Sequence, residues 1–318
     1  MTADIVILGV FVADTAYRAP RQPKMGETLL ANSFALGPGG KGSNQAVAAA
    51  RAGGRVAFIS KLGQDTFADM AQATWRDAGV IPLVQQDAGQ HSGAAYIFID
   101  EATGDNAILI SPGAAASLSP ADIEAQAAAI GQAKVFVTQL EQPLDAALRG
   151  LEIARAQGVT TILNPAPAAD LPDTLLACCD YLTPNESESE ALTGVTVNSV
   201  DSATRAAKVL HKRGIGNALI TLGAAGALLY NGERAEHFPS LDAGPVVETT
   251  GAGDAFNGGL AVALAEGKTP REAVRFANAV AALSVTRQGT APSMPKRDEV
   301  DALLAARCQS KSALIASL

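Results

Sequence analysis

The sequence predicts an α/β fold in which a mostly parallel central sheet carries helices on both faces. Three observations predict it. Short apolar, strand-like runs alternate with alanine-rich helical segments, as in chained strand–helix–strand units. Two glycine clusters, at 37–42 and 251–253, each lead into a helical segment, and ligands of such sheets bind beyond the carboxyl ends of the strands. Of the 318 residues 48% are apolar but only 4% aromatic, so a substantial core must be packed from Ala, Val, Leu and Ile.

The elements follow in order. Residues 1–10 have no cationic lead and a short apolar run, so they read as a buried first strand, not a signal peptide. The next residues, Gly9 to Asp14, do not spell the Gly-x-Gly-x-x-Gly of a dinucleotide fold. The alanine run 46–52 predicts a helix. Residues 56–61 predict a strand before a helix near 65–77. Residues 135–139 form another strand before a helix at 144–156, and 160–163 a third that ends at a proline-rich turn. A strand at 218–221 is followed by short strands at 227–230 and 235–238, and a helix is expected over 253–266. Segments 14–36 and 92–110 break the alternation. They are poor in helix formers and carry short β-like pieces with turns such as Thr103-Gly104-Asp105-Asn106. The length admits one large or two smaller domains; the pattern is that of a single domain, 1–318, with these two segments inserted.

A formal charge of −8 argues against a general nucleic-acid or anionic-membrane surface, so a polyanionic ligand must be drawn in by local groups. No apolar run approaches membrane-spanning length. Three cysteines, with Cys178 and Cys179 adjacent, suit neither a disulfide framework nor a zinc site, and His91, His211 and His237 lack ligand spacing. A reduced, cytoplasmic enzyme fits these features.

Gly251-Ala252-Gly253-Asp254 carries the most chemical information. Unpaired amides at the start of a helix, at the positive end of its dipole, make an anion site. A carboxylate beside that site would repel phosphate; it is better placed to take a proton from a hydroxyl that attacks phosphate. The plainer reading is a tight turn whose acidic residue favours the helix start. In Gly39-Gly40-Lys41-Gly42-Ser43-Asn44-Gln45, glycines, a lysine and a helix start converge again. A P-loop would need Ser or Thr directly after the lysine, where Gly42 stands. Asn44 offers a donor and an acceptor, which suits a sugar hydroxyl better than a phosphate.

With these two motifs stand Asn-Pro-Ala-Pro-Ala at 164–168, Thr-Pro-Asn-Glu-Ser-Glu at 183–188 and Thr-Leu-Gly-Ala-Ala-Gly at 221–226. Together, over about residues 5–295, the chain resembles the ribokinase family of sugar kinases. The resemblance implies a ribokinase-like fold with a small β-sheet lid built from 14–36 and 92–110, which often pairs with a second lid in a homodimer. It implies ATP and a sugar, D-ribose first, as substrates. Another pentose, a ketohexose or a nucleoside stands behind ribose, and a non-catalytic sugar sensor behind those. Asp14, Gly40, Lys41, Gly42, Ser43, Asn44 and Glu141 match sugar-side positions. Asp254 matches the base, with the amides of Ala252 and Gly253 as anion hole. Asn185 and Glu188 match the pair that organises Mg2+ and phosphates, Thr221, Gly223 and Gly226 the nucleotide loop, and Asn278 a position beside the adenine. A K+ site is implied at Glu248, Thr250, Ser284, Arg287, Gly289 and Ser293. Two positions depart from the family pattern: Val12 stands where Asn is usual, and Glu248 where Asp is usual.

Overall fold

Alternation along the first strand, β1 (Ile5–Leu8), sets up a two-sided core. Ile5 and Ile7 enter one buried cluster and Val6 and Leu8 another, because successive strand side chains point to opposite faces. The computed structural model describes residues 2–316. After β1 come β2 (Val12–Ala19), β3 (Ser33–Gly39), α1 (Lys41–Arg51), β4 (Val56–Leu62), α2 (Thr66–Ala78), β5 (Ile81–Gln86), β6 (Gly93–Asp100) and β7 (Asn106–Ser111). Then come α3 (Pro120–Glu124), α4 (Ala127–Gly131), β8 (Val135–Thr138), α5 (Leu144–Ala156), β9 (Thr160–Leu163), α6 (Asp173–Leu176), β10 (Tyr181–Leu182), α7 (Glu186–Thr193) and α8 (Val200–Lys212). The last elements are β11 (Asn217–Thr221), β12 (Ala227–Tyr230), β13 (Ala235–Phe238), α9 (Ala252–Ala265), α10 (Pro270–Ser284) and α11 (Arg297–Ala316).

The large sheet has nine strands in the order β13-β12-β11-β10-β9-β8-β1-β4-β5. Neighbours are parallel from β5 to β11, and β12 and β13 pair antiparallel. From β1 the chain builds outward through β4 and β5, then returns to add β8 on the other side of β1. That reversal opens a crevice at the carboxyl ends of β1 and β8, the place where sheets of this kind hold ligands. One face is covered by α1, α2, α9 and α10, the other by α3, α5 and α8. The predicted helices on both faces are therefore present.

The two helix-poor segments pair as expected into a separate sheet of order β3-β2-β6-β7. It extends directly from β1, since β2 begins at Val12. Within it, β2–β3 and β6–β7 are antiparallel and β2–β6 parallel. Glycine sets the distance between the helices that matter for the site. Gly258 of α9 packs against Ala48 of α1 at a separation too small for a side chain, which brings Asp254 beside the first turn of α1. Among the described residues no helix is long and apolar enough to cross a membrane.

Candidate active site

Helix α9 starts at Gly251, whose φ of 81° no side chain adopts comfortably, and no side chain caps its first turn. Asp254 sits in that turn and is 7% exposed. The sequence expectation paired the amides of Ala252 and Gly253 as an anion hole. In the structure the Ala252 amide instead closes a turn on the Thr249 carbonyl at 3.1 Å, while Gly253 lines a small cavity with Gly251 and Asp254. A sequence motif does not reveal whether a first-turn amide is already satisfied locally.

The start of α1 is built differently. Its first amide, Lys41 N, donates to Glu141 Oε2 at 2.8 Å, so a carboxylate occupies the place a phosphate takes in a P-loop. Asn44 Nδ2 donates to Asp254 Oδ2 and Gln45 Nε2 to Asp254 Oδ1, both at 3.1 Å. Asn44 Oδ1 is buried and accepts no bond, so it presents an acceptor suited to a sugar hydroxyl. The Ser43 amide donates to the Val10 carbonyl and its hydroxyl accepts from the Trp75 indole at 2.9 Å, so its side chain faces the core. One residue is a 100° turn of helix, which carries Ser43 away from the side shared by Lys41 and Asn44. Gly42 is required by packing: a Cβ there would lie 2.7 Å from Gly9 Cα.

Four charged groups surround Asp254. They are Asp14 from β2, Lys41 from α1, Glu141 after β8 and Glu188 from α7. Burial raises the Asp254 pKa, opposed by Lys41 and by the amides of Gln45 and Asn44. Burial lifts Glu141 to about 7, against the pull of Lys41. Burial, with the charge of Asp254 second, lifts Asp14 to about 6. The folded protein thus holds the Asp14 proton more tightly than the unfolded chain. That group's contribution to stability is complete below pH 3.8 and lost as pH rises through about 6. Asp14→Asn is therefore expected to stabilise the ligand-free protein at pH 8 by on the order of 2 kcal/mol, and by progressively less toward pH 5. Thermal unfolding of both proteins across that range measures it; parallel curves would contradict the assignment.

The small cavity, about 170 Å³, is lined by Lys41, Asn185, Glu188, Thr221, Gly253 and Asp254, so these predicted residues do come together. Asn185 and Glu188 also form a reciprocal cap on α7: Asn185 Oδ1 accepts from Glu188 N at 2.8 Å, and Glu188 Oε2 from Asn185 N at 2.9 Å. The same pair therefore caps α7 and lines the small cavity. Gly223 opens the short turn after β11, with Glu186 nearest to it, and Gly226 packs on the 238–240 backbone. Asn278 is 7% exposed and donates to the Phe238 and Pro239 carbonyls, both at 3.3 Å, so its side chain ties α10 to the end of β13.

A larger cavity, about 760 Å³, lies between the small sheet and the loops flanking α9 and following α10. Asp14, Ala16 and Arg18 line it from the sheet, and Glu248, Thr250 and Gly289 from the loops. Glu248 reaches across despite its extra methylene, accepting from Gly289 N at 2.9 Å. The side chains of Ser284 and Ser293 bond to backbone carbonyls of their own turns, and Arg287 pairs with Glu299. As donors, the two serine hydroxyls keep oxygen lone pairs that, with the backbone carbonyls, could face an ion, whereas Arg287 could offer only its backbone carbonyl. Among the described residues no cluster of three His, Cys, Asp or Glu side chains is arranged to hold a metal.

Sequence reasoning missed Gln45 and Gln139 as site residues, and likewise Asn164, Thr183 and Asn257, which line the small cavity. Asn164 and Thr183 directly follow β9 and β10, so their placement at the carboxyl ends of parallel strands was the available signal.

Asp254 thus stands buried at the head of a helix with no side-chain cap, on the wall of a polar crevice in an α/β fold of the kind that holds small-molecule ligands at its strand ends. Residues 2–297 match the profile of the pfkB family carbohydrate kinases, and the chain belongs to that family. It is 40% identical to a ribokinase of Haemophilus influenzae, covering 94% of this chain and 97% of that one. It is 37% identical to a deoxyribokinase of Salmonella typhi, over 95% and 98% of the two chains. The fold superposes on an Arabidopsis thaliana ribokinase complexed with ribose and ATP at a TM-score of 0.90, with 33% identity, 96% of this chain and 99% of that one.

Proposed function

We propose that the protein transfers the γ-phosphoryl group of ATP to the primary hydroxyl of a sugar, converting D-ribose to D-ribose 5-phosphate, with Asp254 as general base. One observation carries the reading. The Asp254 carboxylate lies on the wall of the crevice, held by Asn44 and Gln45, next to the Gly251–Gly253 loop. Asp14, Lys41, Asn44 and Glu141 supply polar partners on the sugar side, and Asn185, Glu188 and Thr221 face the phosphate side. Mg2+ would reach the phosphates beside Asn185 and Glu188 and neutralise charge on the transferring group. The ribokinase relatives, and the ribose and ATP named for the Arabidopsis thaliana structure, support this choice.

Val12 favours a second reading. It shares the face of β2 with Asp14, two residues away, and is 3% exposed. An apolar side chain there offers no bond to a hydroxyl, so a sugar lacking one, such as 2-deoxyribose, leaves nothing unpaired. The deoxyribokinase relative agrees with this. ADP release measured with ribose, 2-deoxyribose, fructose and adenosine tests both readings: the preferred sugar shows the highest kcat/KM, and silence with all four would refute the kinase reading.

The small sheet carries exposed apolar residues on both faces, Phe34, Leu36 and Leu109 on one, Ile108 and Ile110 on the other. We read it as a lid that excludes water from the reaction and pairs with a second copy in a homodimer. Cys178 and Cys179 are free thiols, which suits a cytoplasmic setting. A potassium ion fits the carbonyl-rich loops around Glu248 and Gly289, where its charge would order the Gly251–Gly253 loop. Turnover is expected to be higher in potassium chloride than in tetramethylammonium chloride at matched ionic strength; equal rates would remove the ion from the proposal.

A further inference from the structure

Behind Asp254 lies a chain of buried amides of which the reaction as described names only Gln45, as a partner of the base. Gln45 Nε2 donates to Asp254 Oδ1 at 3.1 Å and to Asn164 Oδ1 at 3.2 Å. Gln45 Oε1 in turn accepts from Gln139 Nε2 at 2.6 Å, and Gln142 Nε2 donates to the Gln139 carbonyl at 2.5 Å. Gln45 and Gln139 are both fully buried.

An amide can turn by 180° and exchange its donor for its acceptor, which would set Gln45 Oε1 against the Asp254 carboxylate. Gln139 decides the matter. Its own Oε1 lies where a side chain at Gly9 or Gly42 would stand, 2.5 and 2.8 Å from those Cβ positions. The nearest atoms to those positions are the two Cα carbons, the Gly42 nitrogen and a Phe58 ring carbon, none of them an acceptor, so an NH2 group there would find no partner, and Oε1 occupies the place without a hydrogen bond. Its NH2 group is thereby directed at Gln45, whose oxygen must face it and whose nitrogen must face the base. Gln139 Oε1 also leaves no room for a side chain at Gly9, just after β1, or at Gly42 in α1.

We propose that Gln45, oriented by Gln139, is the positioning residue for the base: it pins Oδ1 of Asp254 so that Oδ2 stays directed at the attacking hydroxyl. The inference rests on the sugar-kinase reading above. Asn44 bridges base and crevice through its unpaired Oδ1, whereas Gln45 bonds Asn164, Gln139 and the base. Loss of Gln45 therefore disturbs the geometry of transfer more than the binding of sugar.

The test compares Gln45→Met, Gln139→Met and the double variant, all close in shape to the native side chains. Gln45→Met is expected to lower kcat by about 10- to 100-fold, the usual consequence of losing one hydrogen bond to a charged group, with sugar KM changed less than about three-fold. Gln139→Met should give a smaller fall, since Gln45 remains but is free to turn. Because Gln139 acts only through Gln45, the double variant should match Gln45→Met alone. Folded single variants with wild-type kcat would overturn the inference, as would losses that multiply in the double variant. A rise in KM equal to the fall in kcat/KM would overturn it too. A wild-type protein silent with every sugar marks failure of the kinase reading instead, so the two failures are distinct.

Discussion

Asp254→Asn is expected to lower kcat by about 10²- to 10⁴-fold while the sugar KM stays within a few-fold, the range general-base catalysis supplies. Asparagine keeps the shape of the side chain but takes up no proton from the attacking hydroxyl. Its new NH2 group would face a donor from Asn44 or Gln45. Asn44 can answer by turning its amide, because its Oδ1 has no other partner. The fold should not suffer. Burial holds the Asp254 pKa above the usual carboxylate range, so the charged form opposes folding at neutral pH, and removing it should leave Tm equal or higher. Steady-state kinetics with a thermal melt on the same preparation separates the outcomes. Near-wild-type turnover would remove Asp254 from the role of base. A lower Tm with equal losses in binding and turnover would make it a structural group.

The features that could be read from the chain are those whose physics is local. The helix 144–156 and the strands 160–163, 227–230 and 235–238 appear with the expected bounds, since Pro143 opens the helix and the following turn closes it before β9. The helix-start positions of Asp254, Lys41 and Asn44 were legible because each follows a glycine cluster into a helix. The supporting amides were not. Gln45 reaches Gln139 across 94 residues, Asn164 across 119 and Asp254 across 209, so their meeting depends on strand order, which no window of sequence contains. The same limit applies to Ser43, which stands in a glycine motif but whose side-chain direction is set by helix rotation and by Trp75, distant in the chain. For Asn185 and Glu188 local and distant physics meet, since a cap closed within four residues of chain also lines the crevice.

Gly40→Ala is expected to lower kcat/KM by about 10²-fold or more and to reduce Tm, though the change adds one methyl group and no charge. Gly40 is the residue before α1 and has φ 87° and ψ 125°, a conformation L-residues rarely adopt. A methyl there would also stand 2.6 Å from the Val10 carbonyl oxygen and 2.9 Å from Val12 N, both backbone atoms of the β1–β2 connection. Neither can swing aside as a long side chain would, so the start of α1 must move. Lys41, Asn44 and Gln45 move with it, and with them the bonds to Glu141 and to both oxygens of Asp254. A misplacement of about 1 Å in such a constellation is enough for a hundred-fold loss. Gly37→Ala is the control for stability. It lies in the same glycine cluster, but its φ is ordinary and an added Cβ would meet no heavy atom within 4 Å, so its Tm should match wild type. If Gly40→Ala matched that control in Tm and the wild type in kcat/KM, the loop would be tolerant. The close fit between α1 and the first strand connection would then not be what holds the base in place.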